Sequence, residues 1–210
     1  MIGVFGGTFD PVHYGHLRPG LEVQQALGLQ QLRYLPAGQP PHRGVPHASA
    51  AQRLSMLQRA LQGQEGVVID ERELHRPGPS YMVDSLQSLR QEVGSTPLCL
   101  ILGNDAFLGL PGWHQWQRLP QLAHLVVTHR PGWSLDTYQQ SRELNTLVAQ
   151  HQCEVSQLSA SEAGGLVFVA VTQLEISATA IREQVQQQRD IRYLLPDSVR
   201  QVIQQQNLYR

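Results

Sequence analysis

Residues 2–16 read IGVFGGTFDPVHYGH, an apolar run that ends in a Gly-rich turn followed by two histidines. The run from Ile2 to Phe5 is short and continuously apolar, which predicts a buried strand. Residues 6–11 are rich in breakers and predict the turn that leaves the sheet, and a helix is expected to start near Tyr14. This stretch therefore predicts a strand, a turn and a helix, the unit from which parallel sheets are built.

The same alternation continues along the chain. Further strands are predicted at residues 32–35, 67–69, 98–102, 125–127 and 166–171. Helices are predicted between them, with Ser49 and Ser80 as caps of two of these and Pro19 in the first turn or so of the first helix. Because most strand runs are continuously apolar, we expect an α/β fold, a doubly wound, Rossmann-like parallel sheet with helices on both faces, in a single domain spanning residues 1–210.

Composition excludes several classes of protein. The 210 residues are 41% hydrophobic and 16% charged with a net charge of -1, which is ordinary for a globular protein and unlike a nonspecific nucleic-acid binder. No stretch near ~20 apolar residues and no secretory leader pattern is present, so we expect a soluble cytoplasmic protein without a membrane partner. The two cysteines, Cys99 and Cys153, have no metal-site spacing, which fits a reducing compartment.

All 16 basic residues are arginines. A lysine-dependent P-loop is therefore excluded, and phosphate contacts are expected from arginine, histidine, hydroxyl and backbone N–H groups.

The first turn has the chemistry of an anion site. Gly6 and Gly7 allow backbone to approach a phosphate, and the N–H groups at a helix start attract it. His13 and His16 are three residues apart, so both imidazoles can face one point and donate hydrogen bonds to phosphate oxygens. Such a site suits nucleotidyl transfer, in which a protein positions phosphates and stabilises their charge.

Histidines can also serve simpler purposes. A single histidine is more often a capping or core residue, and a zinc site would need a third ligand nearby. The combination of two histidines with a Gly-Gly-Thr turn favours the phosphate site.

A second phosphate site is predicted at Ser177-Ala178-Thr179-Ala180-Ile181-Arg182. Two hydroxyls open a helix there, and Arg182 is expected within its first turn or so. The alternative is an ordinary N-cap, which needs no ligand.

Two further candidates follow the run Leu98 to Leu102. Asp105 in Gly103-Asn104-Asp105 lies at the carboxyl end of a predicted strand and could accept from ribose hydroxyls, or be a turn or cap residue. Trp113 offers an aromatic face that could stack on a flat ring, or it is a packing residue like Trp116.

These motifs carry a resemblance. Gly6 to Leu17 resembles the signature of the HxGH nucleotidylyltransferases, and its GGTFDPVH form is similar to the bacterial nicotinate-nucleotide adenylyltransferases. The resemblance covers essentially all 210 residues, through Pro40-Pro41-His42-Arg43, Ala51-Gln52-Arg53, Asp70-Glu71-Arg72-Glu73-Leu74, Pro79-Ser80-Tyr81, Gly103-Asn104-Asp105, Arg130-Pro131-Gly132, Ile176-Ser177-Ala178-Thr179 and Leu208-Tyr209-Arg210.

The resemblance implies a reaction and a set of site residues. It implies adenylyl transfer from ATP to nicotinate mononucleotide, giving deamido-NAD and pyrophosphate in NAD biosynthesis, with Mg²⁺ held mainly by the ATP phosphates. His13 and His16 are the implied catalytic residues. The implied ATP-binding residues are Gly6, Gly7, Thr8, Phe9, Gly103, Asp105, Arg130, Ser177, Thr179 and Arg182. The implied mononucleotide-binding residues are His42, Tyr81, Met82 and Trp113.

One position departs from the family pattern. Met82 follows Tyr81 where family members often carry a threonine that contacts the nicotinate carboxylate, and methionine cannot donate that bond. Backbone N–H groups or a helix N-terminus are the candidate donors to the nicotinate carboxylate instead. Nicotinamide mononucleotide is the alternative substrate. The sequence also leaves open a pantetheine-phosphate adenylyltransferase and a noncatalytic nucleotide-binding module.

Overall fold

The computed structural model describes residues 1–41, 44–129, 141–172 and 174–210. Its strands are β1 Ile2–Gly7, β2 Gln31–Pro36, β3 Val67–Ile69, β4 Leu98–Gly103, β5 His124–His129 and β6 Leu166–Ala170. They form one sheet in the order β3-β2-β1-β4-β5-β6, and every pairing in it is parallel. The predicted doubly wound parallel sheet is confirmed.

The helices cover both faces of this sheet. They are α1 Tyr14–Leu27, α2 Ala50–Leu61, α3 Arg72–His75, α4 Met82–Val93, α5 Asn104–Leu108, α6 Leu119–Leu122, α7 Arg142–His151, α8 Ala178–Gln186 and α9 Asp197–Gln205. Buried residues of α1, α2, α8 and α9 share one core cluster, and those of α4 to α7 share the other.

Strand β4 has an unbroken apolar run because both of its faces are buried. Cys99 and Ile101 belong to the first core cluster, whereas Leu98, Leu100 and Leu102 belong to the second. Successive side chains of a strand point to opposite faces, so a strand buried on both sides needs apolar residues at every position.

Two local expectations were wrong. Because α1 begins at Tyr14, Pro19 lies beyond its first turn, inside the helix. The missing N–H of Pro19 therefore removes one hydrogen bond of the helix. Ser80 does not cap α4, whose N-cap residue is Tyr81. The Ser80 hydroxyl instead accepts hydrogen bonds from the backbone N–H groups of Gly38 and Gln39, at 2.9 and 3.1 Å. By contrast, Ser49 does cap α2, as expected.

The strand order reverses at β1. Strand β1 pairs with β2 on one side and with β4 on the other. The chain therefore adds β2 and β3 on one side of β1, and then β4, β5 and β6 on the other side. A crevice forms at such a point beyond the carboxyl ends of the strands. Gly7 and Gly103, the last residues of β1 and β4, mark its position.

None of the described helices has the length and apolar character to cross a membrane.

Candidate active site

A cleft of about 1140 Å³ opens at this crevice. It brings together most of the predicted site residues, namely Gly6, Gly7, Thr8, Phe9, His13, His16, Tyr81, Met82, Gly103, Asp105, Trp113, Ser177 and Arg182. Thr179 directly follows this lining in α8 and is hydrogen-bonded to Arg182. His42 and Arg130 lie outside the described residues.

A second cavity, of about 830 Å³, lies between the end of α8 and α9. Among the described residues it shares no lining residue with the cleft. Since the predicted phosphate motifs all line the first cleft, the chemistry is assigned there.

The two signature histidines stack at the start of α1. Their ring centroids are 3.8 Å apart with planes inclined by 34°. His13 is the N-cap residue, and its backbone N–H donates to Nδ1 of His16 at 3.3 Å. A neutral His16 whose Nδ1 accepts carries its proton on Nε2. Capping and phosphate binding are therefore compatible in this pair, because the two roles use different nitrogens.

His13 is buried and electrically neutral at physiological pH. Only 4% of the residue is exposed, and burial lowers the pKa of its imidazole to about 4. Its Nδ1 is inaccessible to solvent and has no hydrogen-bond partner among the described residues. Buried polar atoms are normally paired, so this unpaired nitrogen is an exception, and it belongs to a residue that lines the cleft.

Phe9 supports His16 from beneath. Its side chain is 1% exposed, and its ring meets the His16 ring edge-on at a centroid distance of 5.2 Å. Its backbone is left-handed, with φ of 52°, which turns the side chain into the core. The sequence assigned Phe9 to ATP binding, and the residue lines the cleft, but it is buried and its ring packs against His16.

Gly15 serves the packing of the protein itself. A Cβ atom there would lie 2.9 Å from the His13 ring and 2.9 Å from the carbonyl oxygen of Ile176. The space above Gly15 is thus occupied by the segment that leads into α8, and the glycine lets the two phosphate motifs approach each other.

The second motif is tied directly to the first. Ser177 caps α8 by accepting from the Ala180 N–H at 3.1 Å, as expected for an N-cap. Arg182 lies in the second turn of α8, later than predicted, and donates to the backbone carbonyl of Asp10 at 2.7 Å. It also donates to Thr179 Oγ1 at 3.3 Å. Helix α8 therefore brings a guanidinium to the turn that carries both histidines.

The opposite wall of the cleft is built on aromatic and apolar side chains. Tyr81 and His114 stack with centroids 4.2 Å apart and planes inclined by 28°. Trp113 and Met82 line the same wall and pack against the second core cluster. The Met82 side chain also reaches Gly6, where a Cβ atom would lie 2.5 Å from its Cε. Met82 thus connects this wall to the end of β1.

Glu73 is a buried acid in this wall that the sequence pattern did not reveal. It is 4% exposed, accepts a hydrogen bond from the Ser85 hydroxyl at 2.5 Å and lies 4.0 Å from Arg76. Burial raises the pKa of its carboxyl group. The stretch Asp70-Glu71-Arg72-Glu73-Leu74 resembles the family pattern. Burial is predicted from the periodicity of apolar residues, which does not mark one acid among charged neighbours.

Asn104 also escaped prediction. It begins α5 beside Gly103, and its Oδ1 is buried without a partner among the described residues. Asp105, the residue that the sequence favoured, is exposed in the first turn of α5. Both line the cleft. The available sequence signal was a polar amide directly after an apolar strand, a position where polar groups commonly contact ligands.

The comparisons with known proteins agree on one group. Residues 4–184 match the family model described as “Cytidylyltransferase-like”. A protein of Methylococcus capsulatus named “Probable nicotinate-nucleotide adenylyltransferase” is 50% identical over 211 residues, covering 100% of this chain and 99% of that protein. One of the same name from Halorhodospira halophila is 49% identical, covering 99% of this chain and 94% of that protein.

The fold is also found among solved structures. The nicotinic acid mononucleotide adenylyltransferase of Plasmodium falciparum, complexed with NaAD, superposes with a TM-score of 0.73. The match covers 99% of this chain and 96% of that chain at 14% sequence identity. At this identity the likeness establishes the fold.

Proposed function

The chain belongs to the cytidylyltransferase-like family and, within it, to the nicotinate-nucleotide adenylyltransferases. On this premise we propose how its cleft transfers an adenylyl group from ATP to nicotinate mononucleotide. The products are deamido-NAD and pyrophosphate. The observation that carries the residue assignments is the meeting of two phosphate motifs at the ends of β1 and β4, with an unpaired buried nitrogen on His13.

The bond changes define what the cleft must stabilise. An oxygen of the mononucleotide 5′-phosphate attacks the α-phosphorus of ATP in line, and the bond from that phosphorus to the bridging oxygen of the β-phosphate breaks. Pyrophosphate leaves with the electron pair. The attacking phosphate is already ionised, so no general base is needed, and the protein acts by positioning and by charge stabilisation.

His13 and His16 are the proposed donors to the transferring phosphate. The pKa of about 4 makes His13 a neutral hydrogen-bond donor at physiological pH. A bound phosphate favours the protonated form of a neighbouring imidazole, so the charge on the pair is expected to follow the charge on the substrate. His16 contributes the nitrogen that does not cap α1, Nε2.

The ATP triphosphate is proposed to lie between the signature turn and α8. Gly6, Gly7 and Thr8 line its path at the end of β1, and Ser177, Thr179 and Arg182 stand opposite. Arg182 already donates to Asp10 and Thr179, which fixes its plane, and its remaining N–H groups are available to phosphate oxygens. Gly103, Asp105 and Arg130 remain proposed contacts of the adenosine.

Mg²⁺ is proposed to enter with ATP, neutralising phosphate charge. The donor set of the chain fits this arrangement. Asp10 is buried, and its carboxylate already accepts hydrogen bonds from Tyr209 and from the backbone N–H groups of His47 and Ala48. It is therefore committed to the protein, and we propose that the ion is held mainly by phosphate oxygens and water.

The pyridine ring is assigned to the aromatic wall. Trp113 offers a face for stacking, with Tyr81 and Met82 beside it, and His42 is proposed to reach the same ring. Met82 has no donor for a carboxylate, so discrimination between acid and amide would depend on backbone N–H groups at the start of α4.

One experiment tests this proposal. Pyrophosphate release is measured with purified protein, Mg²⁺-ATP and, in parallel, nicotinate mononucleotide, nicotinamide mononucleotide or phosphopantetheine. We expect a clear preference for the nicotinate form. Preference for the amide would move the activity to nicotinamide mononucleotide, and no release with any of the three would favour the noncatalytic nucleotide-binding module.

Two wider expectations accompany the proposal. Residues 1–210 act as one nucleotidylyltransferase domain, because both core clusters are packed on the same sheet. The protein works in the cytoplasm, which suits the two free cysteines, one of them buried inside β4.

A further inference from the structure

The carboxylate of Asp10 is the centre of a buried network beneath the signature turn. Its Oδ2 accepts from the His47 N–H at 2.7 Å and its Oδ1 from the Ala48 N–H at 3.1 Å. Tyr209, which follows α9, donates its hydroxyl to Oδ1 at 2.8 Å. Asp10 is 5% exposed and Tyr209 is 8% exposed, so these bonds form away from water.

The same network also holds two backbone carbonyls of the turn, those of Thr8 and of Asp10. The buried Arg53 side chain donates to the carbonyl of Thr8 at 2.7 Å and to that of Gly38 at 3.3 Å. Arg182 donates to the carbonyl of Asp10 itself. Asp10 is only three residues before His13. A shift of its carboxylate would therefore move the backbone that positions His13 and His16.

Tyr209 reaches this network through an unusual backbone. Its φ is 64°, in the left-handed region that a bulky side chain rarely adopts, and Asn207 is also left-handed with φ of 52°. Such conformations persist only where surrounding contacts compensate for them. Here the ring is buried, and its hydroxyl is bonded to a carboxylate 199 residues earlier in the chain.

Burial and the charge of Asp10 together raise the pKa of the Tyr209 hydroxyl. The phenol therefore stays protonated over the working pH range and remains a donor. A hydrogen bond to an ionised acceptor in a dry environment is among the stronger ones in proteins.

We propose that Tyr209 is a positioning residue for adenylyl transfer, which holds Asp10 and through it sets the places of His13, His16 and Arg182. Asp10 lines the cleft and Tyr209 does not, so Tyr209 is placed to act through Asp10 without contacting either substrate. This inference rests on the proposed function of the cleft.

The test compares two tyrosine-to-phenylalanine variants. Tyr209→Phe keeps the ring and removes one hydroxyl, and Tyr193→Phe is the matched control, since Tyr193 is also left-handed with φ of 65° but is 87% exposed. We expect kcat of Tyr209→Phe to fall about tenfold, ~1.4 kcal/mol, with the KM for ATP within about twofold. Tyr193→Phe should match the unchanged protein.

A purely structural role gives a different result. Both variants are assayed at a temperature at which circular dichroism shows them fully folded, so lost stability alone would leave kcat unchanged. An unchanged kcat for Tyr209→Phe would overturn the proposal. Combining Tyr209→Phe with Asp10→Asn should cost little more than Asp10→Asn alone, and fully additive losses would also overturn it.

A measurement without substrate separates this inference from the proposed function. In ¹⁵N-histidine NMR spectra of the unliganded protein, the resonances of His13 and His16 should shift in Tyr209→Phe and stay in place in Tyr193→Phe. Unshifted resonances would overturn the positioning role even if the protein is active on nicotinate mononucleotide. If the unchanged protein releases no pyrophosphate, the function fails, and the spectra still decide the role of Tyr209.

Discussion

The two walls of the cleft are built in opposite ways. On the phosphate side, Asp10 and His13 are no more than 5% exposed. The turn between β1 and α1 is held by hydrogen bonds from distant residues, namely His47, Ala48, Arg53, Arg182 and Tyr209. On the pyridine side, Tyr81 and Trp113 are half-buried and His114 is exposed, and these rings meet by stacking and apolar packing.

This difference matches the role proposed for each wall. Charge stabilisation requires donors fixed before the reaction, because dipoles that must reorient contribute less to the barrier. Recognition of a flat ring requires area and one aromatic face, which tolerates small movements. We therefore expect changes on the phosphate side to act mainly on kcat and changes on the pyridine side mainly on KM and substrate choice.

The largest effect is expected at His16. His16→Asn keeps an acceptor near the position of Nδ1, so the cap of α1 is retained, but it removes Nε2. We expect kcat to fall by about 10²–10³-fold, as for the loss of one fixed donor to a developing charge. His16→Gln, whose amide nitrogen can approach the place of Nε2, should lose less.

Pyrophosphate release under saturating substrates measures both variants, with His75→Ala on the exposed face of α3 as the control. Equal rates for His16→Asn and the unchanged protein would remove the distinction between the two walls.

The burial of His13 predicts a pH-dependent stability. The pKa of His13 is about 4 in the folded protein and near ~6.5 when unfolded, so between these values only the unfolded state binds the proton. Lowering the pH through this window therefore destabilises the folded state. From pH 8 to pH 5 the loss should be about 2 kcal/mol larger for the unchanged protein than for His13→Gln.

Urea unfolding followed by circular dichroism at both pH values measures this difference. If the two proteins lose stability in parallel, His13 is not held neutral by burial.

On the pyridine side, Trp113→Leu keeps an apolar side chain against the core but removes the aromatic face. The KM for the mononucleotide should rise by up to about tenfold, with kcat and the KM for ATP changed much less. One aromatic pair contributes up to about 1.5 kcal/mol, and a tenfold change corresponds to about 1.4 kcal/mol. Trp113→Phe should restore most of the affinity. Initial-rate measurements with each substrate varied in turn test this, and a drop in kcat alone would place Trp113 with the phosphate side.

The smallest effect is expected at Met82. Met82→Thr introduces a hydroxyl at the start of α4, and one hydrogen bond to a carboxylate should raise the preference for nicotinate over nicotinamide mononucleotide by about three- to tenfold. Met82→Leu controls for lost contact with Gly6. The ratio of kcat/KM values for the two mononucleotides is the measure, and equal ratios in all three proteins would mean that the backbone alone selects the base.

Much of the site could be predicted because its signals are local. The glycines at the end of β1, the paired histidines and the Ser177 cap each combine suitable residue types within a few positions, and the structure brings them to one cleft. The burial of the Phe9 ring could not be predicted, because residue type does not reveal the positive φ at this position. Ser80 was misjudged because unpaired N–H groups of a distant loop compete for its hydroxyl.

The sequence by itself determined the alternation of strands and helices, the two-sided burial of the sheet and the two phosphate motifs. Each follows from periodicity or from the chemistry of a few adjacent residues. Only the tertiary structure decided that Asp10 is committed to Tyr209, that Arg182 docks on the signature turn and that His13 is buried enough to stay neutral. These contacts join residues far apart in the chain, and a pattern of neighbouring residues carries no record of which distant partner completes a hydrogen bond.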